Sequence, residues 1–185
     1  MRILSRGKIK WDCPIKFGTI RIGSRSANIV DYTSAHTSLY IAGTLKVKGN
    51  VWLGSGCQIL CHNNSSFTLG NNVKITGNTF MDCHRNIFIG DDCMISWNCQ
   101  FLDSDYHKIL DASGKYINEN REIHIGNKVW IACNCIILKG TIVPNGSIIA
   151  AGSLVSMSLK KEKCIYGGQG RNLSLLKEGI NWQDT

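Results

Sequence analysis

Five histidines, nine cysteines and a handful of aspartates carry most of the chemistry that this 185-residue chain can offer. His107 leads the histidines. It follows Asp103-Ser104-Asp105-Tyr106 at the start of the longest break in the repeat pattern described below, 23 residues before Trp130. A neutral imidazole can take the proton from a hydroxyl, a contribution of about 10²–10⁴-fold in rate. Asp103 or Asp105 can orient such a ring and fix its tautomer. His36, His62, His84 and His124 are weaker candidates; His62 and His84 fall at interrupted corners, where a solvated turn is the simpler expectation. The cysteines form no CxxC pair, and Cys133 and Cys135 stand too close for the usual zinc spacing. Cys57, Cys93, Cys99 and Cys135 each take a position where Val, Thr or Ser stands elsewhere in the repeat, the behaviour of a small buried hydrophobe. These features predict a reduced, cytoplasmic protein with structural thiols, no disulfide framework and no metal.

The stretch from Ile123 to Val155 shows what must position these groups. Its aliphatics Ile125, Ile131, Ile137, Val143, Ile149 and Val155 recur every sixth residue. A helical stripe recurs at i, i+3, i+4 and i+7, so the period excludes a helix. Two residues before each aliphatic stands a small or β-branched residue (Val129, Cys135, Thr141, Ser147, Ser153), which strand alternation turns to the same side. Short strands joined by tight corners at a fixed period are the pattern of a solenoid. The same frame runs through Ile41, Val47, Leu53 and Ile59, then Leu69, Ile75 and Met81, then Ile89, Ile95 and Phe101. It is lost through Ser24–His36, and it is interrupted at His62–Ser65, at His84–Asn86 and, most deeply, at 103–122. Three hexads make one triangular coil, so about five or six coils are expected. The chain reads as one domain over 1–185, with an irregular lead-in at 1–38, coils at 39–158 and a tail at 159–185. A short helix over Asn172–Gly179 and the lead-in are the expected caps.

Composition narrows the function classes. Hydrophobic residues make up 43% of the chain, yet no apolar run approaches the roughly 18 residues that span a bilayer. The basic N-terminus lacks the apolar stretch of a signal peptide. Residues 1–25 hold Arg2, Arg6, Lys8, Lys10, Lys16, Arg21 and Arg25 against Asp12 alone, which is +6 of the formal +8. Such a segment faces an anionic partner or simply keeps the surface solvated. No nucleic-acid-binding motif accompanies it.

The runs D-S-D-Y-H-K-I-L-D, I-H-I-G-N-K-V-W-I-A-C-N-C-I-I-L-K-G and A-A-G-S-L-V resemble the hexapeptide-repeat acyltransferases, and among them the sugar O-acetyltransferases of the galactoside, capsule and lipopolysaccharide types. The match is continuous from about Asp103 to Val155. The resemblance implies an all-β fold, a left-handed parallel β-helix with a protruding loop, assembled as a homotrimer with active sites between subunits. It implies acetyl-CoA as co-substrate and a saccharide acceptor, with His107 as general base and Trp130 lining the pocket or aiding the oxyanion. Cys133, Ala151 and Gly152 match the small residues beside the pantetheine arm. Ser156 and Met157 stand where the family has Thr-Lys, leaving Lys160 or Lys161 as a substitute cation, and Arg171 is the matching cation for the nucleotide phosphates. Asp82 matches an acceptor position loosely, beside Asp103 and Asp105. In a related solenoid enzyme, the γ-class carbonic anhydrase, two zinc-binding histidines stand five residues apart; no two histidines here share that spacing. N-acetylation of an amino sugar or antibiotic is an alternative on the same fold, and a non-catalytic binding solenoid is a second.

Overall fold

The computed structural model describes residues 2–24 and 35–184. Each hexad supplies one short strand and one corner, and the chain winds through three sheets in turn, so that the coil has three flat faces. Among the described residues the first face has seven strands, the second six and the third eight. In the fourth coil, for instance, these are Phe80–Cys83, Asn86–Ile89 and Met94–Ile95. Each strand pairs in parallel with its counterpart one coil away: Ile59 with Met81, Met81 with Phe101, Phe101 with Ile137, and Ile137 with Val155. The interval between Phe101 and Ile137 is long because the 103–122 insertion leaves the coil and returns to the same register.

Every aliphatic in the six-residue frame points into the bore and is fully buried, from Ile41 through Ile89 and Ile125 to Val155. Full burial of one such side chain stabilises by about 1.5–3 kcal/mol. The small partners Val129, Cys135, Thr141, Ser147 and Ser153 are buried beside them. Cys57, Cys93, Cys99 and Cys135 are buried free thiols. Burial pushes the Cys57 thiol up to about 11 and that of Cys93 to about 12, so neither offers a thiolate at neutral pH.

The corner between the second and third faces explains the recurring Gly-Asn and Gly-Asp pairs. Asn71 Oδ1 accepts from the Asn50 amide (2.9 Å), Asp91 Oδ1 from Asn71 (2.8 Å), Asn127 Oδ1 from Asp91 (2.9 Å), and Asn145 Oδ1 from Asn127 (2.7 Å). Each rung thus satisfies the exposed amide of its neighbour. The residue before each donating amide must be glycine: a Cβ on Gly90 would lie 2.4 Å from Asn127 Oδ1, and one on Gly126 2.6 Å from Asn145 Oδ1.

Both expected caps differ. The lead-in is not irregular: Arg2–Ser5, Lys8–Trp11 and Ile20–Ser24 form a complete first coil, giving six coils and a partial seventh. The first two strands are exposed along their length, with no coil on their outer side among the described residues, and Ser5 and Trp11 stand in register with Ile41 and Val47 where the frame elsewhere has aliphatics. The break expected through Ser24–His36 lies largely outside the described residues, as does Arg25. At the other end the helix expected over Asn172–Gly179 is a strand, Ser174–Lys177, antiparallel to Ile165–Gly167 after a 3₁₀ turn at Gly170–Asn172. An isolated eight-residue helix gains little in water, whereas an open sheet edge offers unpaired backbone groups to the same residues.

Candidate functional site

All three interruptions fall on one edge, the corner between the first and second faces. His62–Ser65 follows Gln58–Cys61, His84-Arg85 follows Phe80–Cys83, and the long insertion follows Gln100–Leu102. Stacking on consecutive coils brings their side chains together. The rings of His62 and His84 stack with centroids 3.9 Å apart and planes 17° apart, and Tyr106 stands edge-on to His84 at 5.2 Å. Beneath them Asp82 is 2% exposed. Its Oδ1 lies 2.8 Å from His62 Nε2, its Oδ2 accepts the Tyr106 hydroxyl, and His84 Nε2 is 3.5 Å from Oδ2 with no hydrogen bond of its own. His62 and His84 are therefore not the solvated turns expected of them; a shared buried carboxylate holds them.

The insertion is fastened at its root. Leu102 ends its strand, so the preceding coil's amides lose their backbone acceptors; Asp103 replaces them, taking the His84 amide at 2.7 Å and the Arg85 amide at 2.8 Å. Burial raises the Asp103 carboxyl above its ordinary value, opposed by those two amides and by His84. Farther out, Asn118 joins the two limbs of the loop: its side chain donates to Asp105 (2.8 Å) and to the His107 carbonyl (2.9 Å) and accepts from the Ile109 amide (2.6 Å). Lys139 Nζ reaches up from the next coil to Asp105 and to the Asn118 carbonyl, the latter at 2.8 Å. Desolvation works to raise the Asp105 carboxyl, but the hydrogen bonds and charges of Lys139, Asn118 and Arg121 outweigh it and hold it below its ordinary value.

His107 sits at the outer end of this construction. Its backbone is fixed by the 2.7 Å bond from its amide to the Asp105 carbonyl and by Asn118, and its imidazole is exposed. Neither aspartate orients the ring as the sequence suggests, because both carboxylates are taken by other partners. What positions His107 instead is its neighbour. Tyr106 adopts a left-handed φ of +63°, unfavourable for an aromatic residue, and its hydroxyl is anchored on Asp82. Burial, then the hydrogen bond and charge of Asp82, push the Tyr106 hydroxyl above its ordinary value. Sequence reading placed Asp82 only loosely and missed this anchor; the even spacing of Tyr40, His62, His84 and Tyr106 along the chain is the signal that could have found it.

Trp130 lies on the third face, across the prism from that edge. It is 36% exposed, donates from Nε1 to Ser96 Oγ (3.1 Å) and is met by Trp182 at 6.2 Å. The tail reaches it by crossing the third face, with Trp182 Nε1 on the Lys128 carbonyl (2.9 Å) and Lys128 Nζ on Asn181 (2.8 Å). Cys133, Ala151 and Gly152 line the adjacent corner between the third and first faces, on successive coils. The Gly152 amide donates to the Cys133 carbonyl (2.9 Å), and a Cβ on Gly152 would meet nothing within 4 Å. Along Cys133, Ala151 and Gly152 this corner is an open strip of small side chains, headed one coil earlier by Trp97. Gln169 Nε2 binds the Gly152 carbonyl (2.5 Å), which brings the turn bearing exposed Arg171 to the foot of the strip. Ser156, Met157, Lys160 and Lys161 do not join it. The chain carries them past the first face, Ser158 pairs with Ile142 on the second, and Lys161 pairs with Glu178 (2.6 Å).

No protein-family model matches the chain. A polysialic acid O-acetyltransferase of Neisseria meningitidis is 29% identical over 136 residues, 56% of this chain and 63% of that protein. One of Escherichia coli O1:K1 is 31% identical over 141 residues, 76% of this chain and 43% of that protein. The chain thus spans less than two thirds of the length of either relative. The crystal structure of the polysialic acid O-acetyltransferase OatWY superimposes with a TM-score of 0.71 at 22% identity, over 100% of this chain and 92% of that one. This chain is similar in sequence to polysialic acid O-acetyltransferases, and it shares the left-handed β-helix fold of the hexapeptide-repeat acyltransferases.

Proposed function

We propose that this protein transfers an acetyl group from acetyl-CoA to a hydroxyl of a sugar in a bacterial surface polysaccharide or its precursor, with His107 as general base. The gathering of the insertions at His62–Ser65, His84-Arg85 and 103–122 on one edge, the edge that holds His107, carries the reading, in a chain similar to polysialic acid O-acetyltransferases. The imidazole takes the hydroxyl proton as the sugar oxygen attacks the thioester carbonyl. Collapse of the tetrahedral intermediate breaks the C–S bond, and the imidazolium returns the proton to the departing thiolate. The strip of Cys133, Ala151 and Gly152 suits the slender pantetheine arm, and Arg171 at its foot suits the nucleotide phosphates through its planar fork. Trp130 spends its indole N–H on Ser96, so its part is to wall the pocket with its ring.

His107 and Trp130 occupy opposite sides of one coil, so a single subunit does not bring them to one substrate. A homotrimer, with the loop of one subunit against the third face of the next, does. The exposed apolar residues of the loop, Ile109, Leu110 and Ile117, give it a surface for such a contact.

The test is thiol release from acetyl-CoA over a panel of saccharides that includes amino sugars. His107→Ala is expected to lose about 10²–10⁴-fold in turnover while melting as the parent does. Full activity in that variant rejects His107 as the base, acceptance of amino sugars alone favours N-acetylation, and a monomer mass by light scattering rejects the shared site.

A further inference from the structure

The most basic part of the chain is built into the same edge. On the second face, Lys8–Trp11 pairs with Thr44–Val47 so that Lys8 stands beside Thr44 and Lys10 beside Lys46. Alternation turns Lys8, Lys10 and Lys46 to the outside, while Leu45 turns inward. With Arg6 they line an open groove of about 580 Å³, whose other wall is the Asn64-Ser65 corner next to His62. Its floor is bare backbone: a Cβ on Gly7 would lie 2.1 Å from the Gly43 carbonyl oxygen, and one on Gly43 2.3 Å from that of His62. No carboxylate lines the groove, and none of the four cations forms an ion pair among the described residues.

Lys10 and Lys46 are like charges directly opposite on neighbouring strands, an arrangement that destabilises a sheet. An anion lying between them would offset that cost. The groove begins at the first coil, its far wall belongs to the corner that carries His62, and His62 stacks on His84 beside the root of the His107 loop. A chain-like ligand bound in it is aimed along the edge at His107. The cations sit in a cleft rather than on a flat plane, which suits a strand more than a lipid surface, and no aromatic ring lines the cleft to stack a nucleobase.

We infer that this groove binds an anionic polysaccharide, docking a stretch of the acceptor chain away from the residue that is acetylated. The choice of a saccharide rests on the function proposed above; the choice of an anionic one rests on the groove. The test is direct binding to the full chain, without acetyl-CoA, of polysialic acid, neutral dextran, anionic phospholipid vesicles and duplex DNA. Polysialic acid is expected to bind best, with an affinity that falls steeply with salt. Lys8→Glu/Lys10→Glu/Lys46→Glu should bind it at least about tenfold more weakly, and Lys10→Gln alone, a gentler change, should weaken it measurably. Unchanged binding in Lys10→Gln and in any folded charge-reversed variant overturns the inference, as does equal binding of dextran. Tighter binding of vesicles or DNA also overturns it. Because no acetyl donor is present, a protein that transfers no acetyl group can still bind polysialic acid, and one that acetylates a neutral sugar can still fail to, so the two proposals fall separately.

Discussion

Two corners of one prism are built on opposite rules. Between the second and third faces the side chains of Asn71, Asp91, Asn127 and Asn145 bridge rung to rung, and each bridge occupies the space that any Cβ on the preceding glycine would need. Between the first and second faces a single carboxylate, Asp103, holds two amides and lets the chain depart for the whole of the 103–122 insertion. Where side chains fill the corner, length is fixed. Where one side chain can stand in for a strand's acceptors, length is free, and function collects there. The sharpest way to break this contrast is Gly90→Val. Its Cβ would meet Asn127 Oδ1 at 2.4 Å and the Gly126 carbonyl carbon at 2.7 Å, so urea denaturation should show a loss of about 3 kcal/mol. Gly114→Asn, at a loop tip with nothing within 4 Å and a φ of +81° that Asn tolerates, should cost less than about 1 kcal/mol. Equal costs would mean that the ladder corner is no stiffer than the loop.

The second way concerns what freedom at the functional edge requires. An insertion can carry the proposed general base, His107, only if something restores its position, and Asp82 holds the neighbouring Tyr106 hydroxyl. Asp82→Asn keeps the shape but weakens the hold on the Tyr106 hydroxyl and removes the charge facing His62 and His84. Turnover should fall about tenfold with KM little changed, and Tyr106→Phe should fall by a similar factor. The double variant should lose no more than either single one, because both cut the same link. Additive losses would show that Asp82 and Tyr106 act separately.

The same contrast decides what the sequence revealed. The bore was legible throughout, since Ile125 and its six-spaced partners obey a packing rule written in residue type. The first coil was not, because Ser5 and Trp11 stand in register with Ile41 and Val47 where the frame has aliphatics, and the long corner at 12–19 breaks the period before Ile22. The tail strand Ser174–Lys177 was not legible either; its conformation comes from a sheet edge assembled by distant residues. At the site, His107 and Trp130 were visible through local motif, but their placement on opposite sides of the coil depends on which corner each follows. The Asp82 cluster was hidden because its members come from separate coils and meet only through stacking.

The two aspartates of the loop make the finest test. Asp105 has a depressed carboxyl, so its contribution is present above the ordinary carboxylate value of about 3.9 and is lost as pH falls through its lower folded value. It is well exposed, so screening keeps that contribution under about 1 kcal/mol. Asp103 runs the other way: its carboxyl is raised by burial, so its ionised form costs stability at neutral pH, and protonation as pH falls through the raised value relieves that cost. Acidification should therefore loosen the outer limbs of the loop while its root stays closed. Hydrogen exchange, corrected for its intrinsic pH dependence, should show the Ile109 amide, bonded to Asn118, losing protection first. The His84 and Arg85 amides on Asp103 should keep theirs. High salt at neutral pH should reproduce the outer loosening by screening Asp105 from Lys139. Simultaneous loss at both places would mean that the loop opens as one body from its root, and that the stacked corners beneath it do not set its limits.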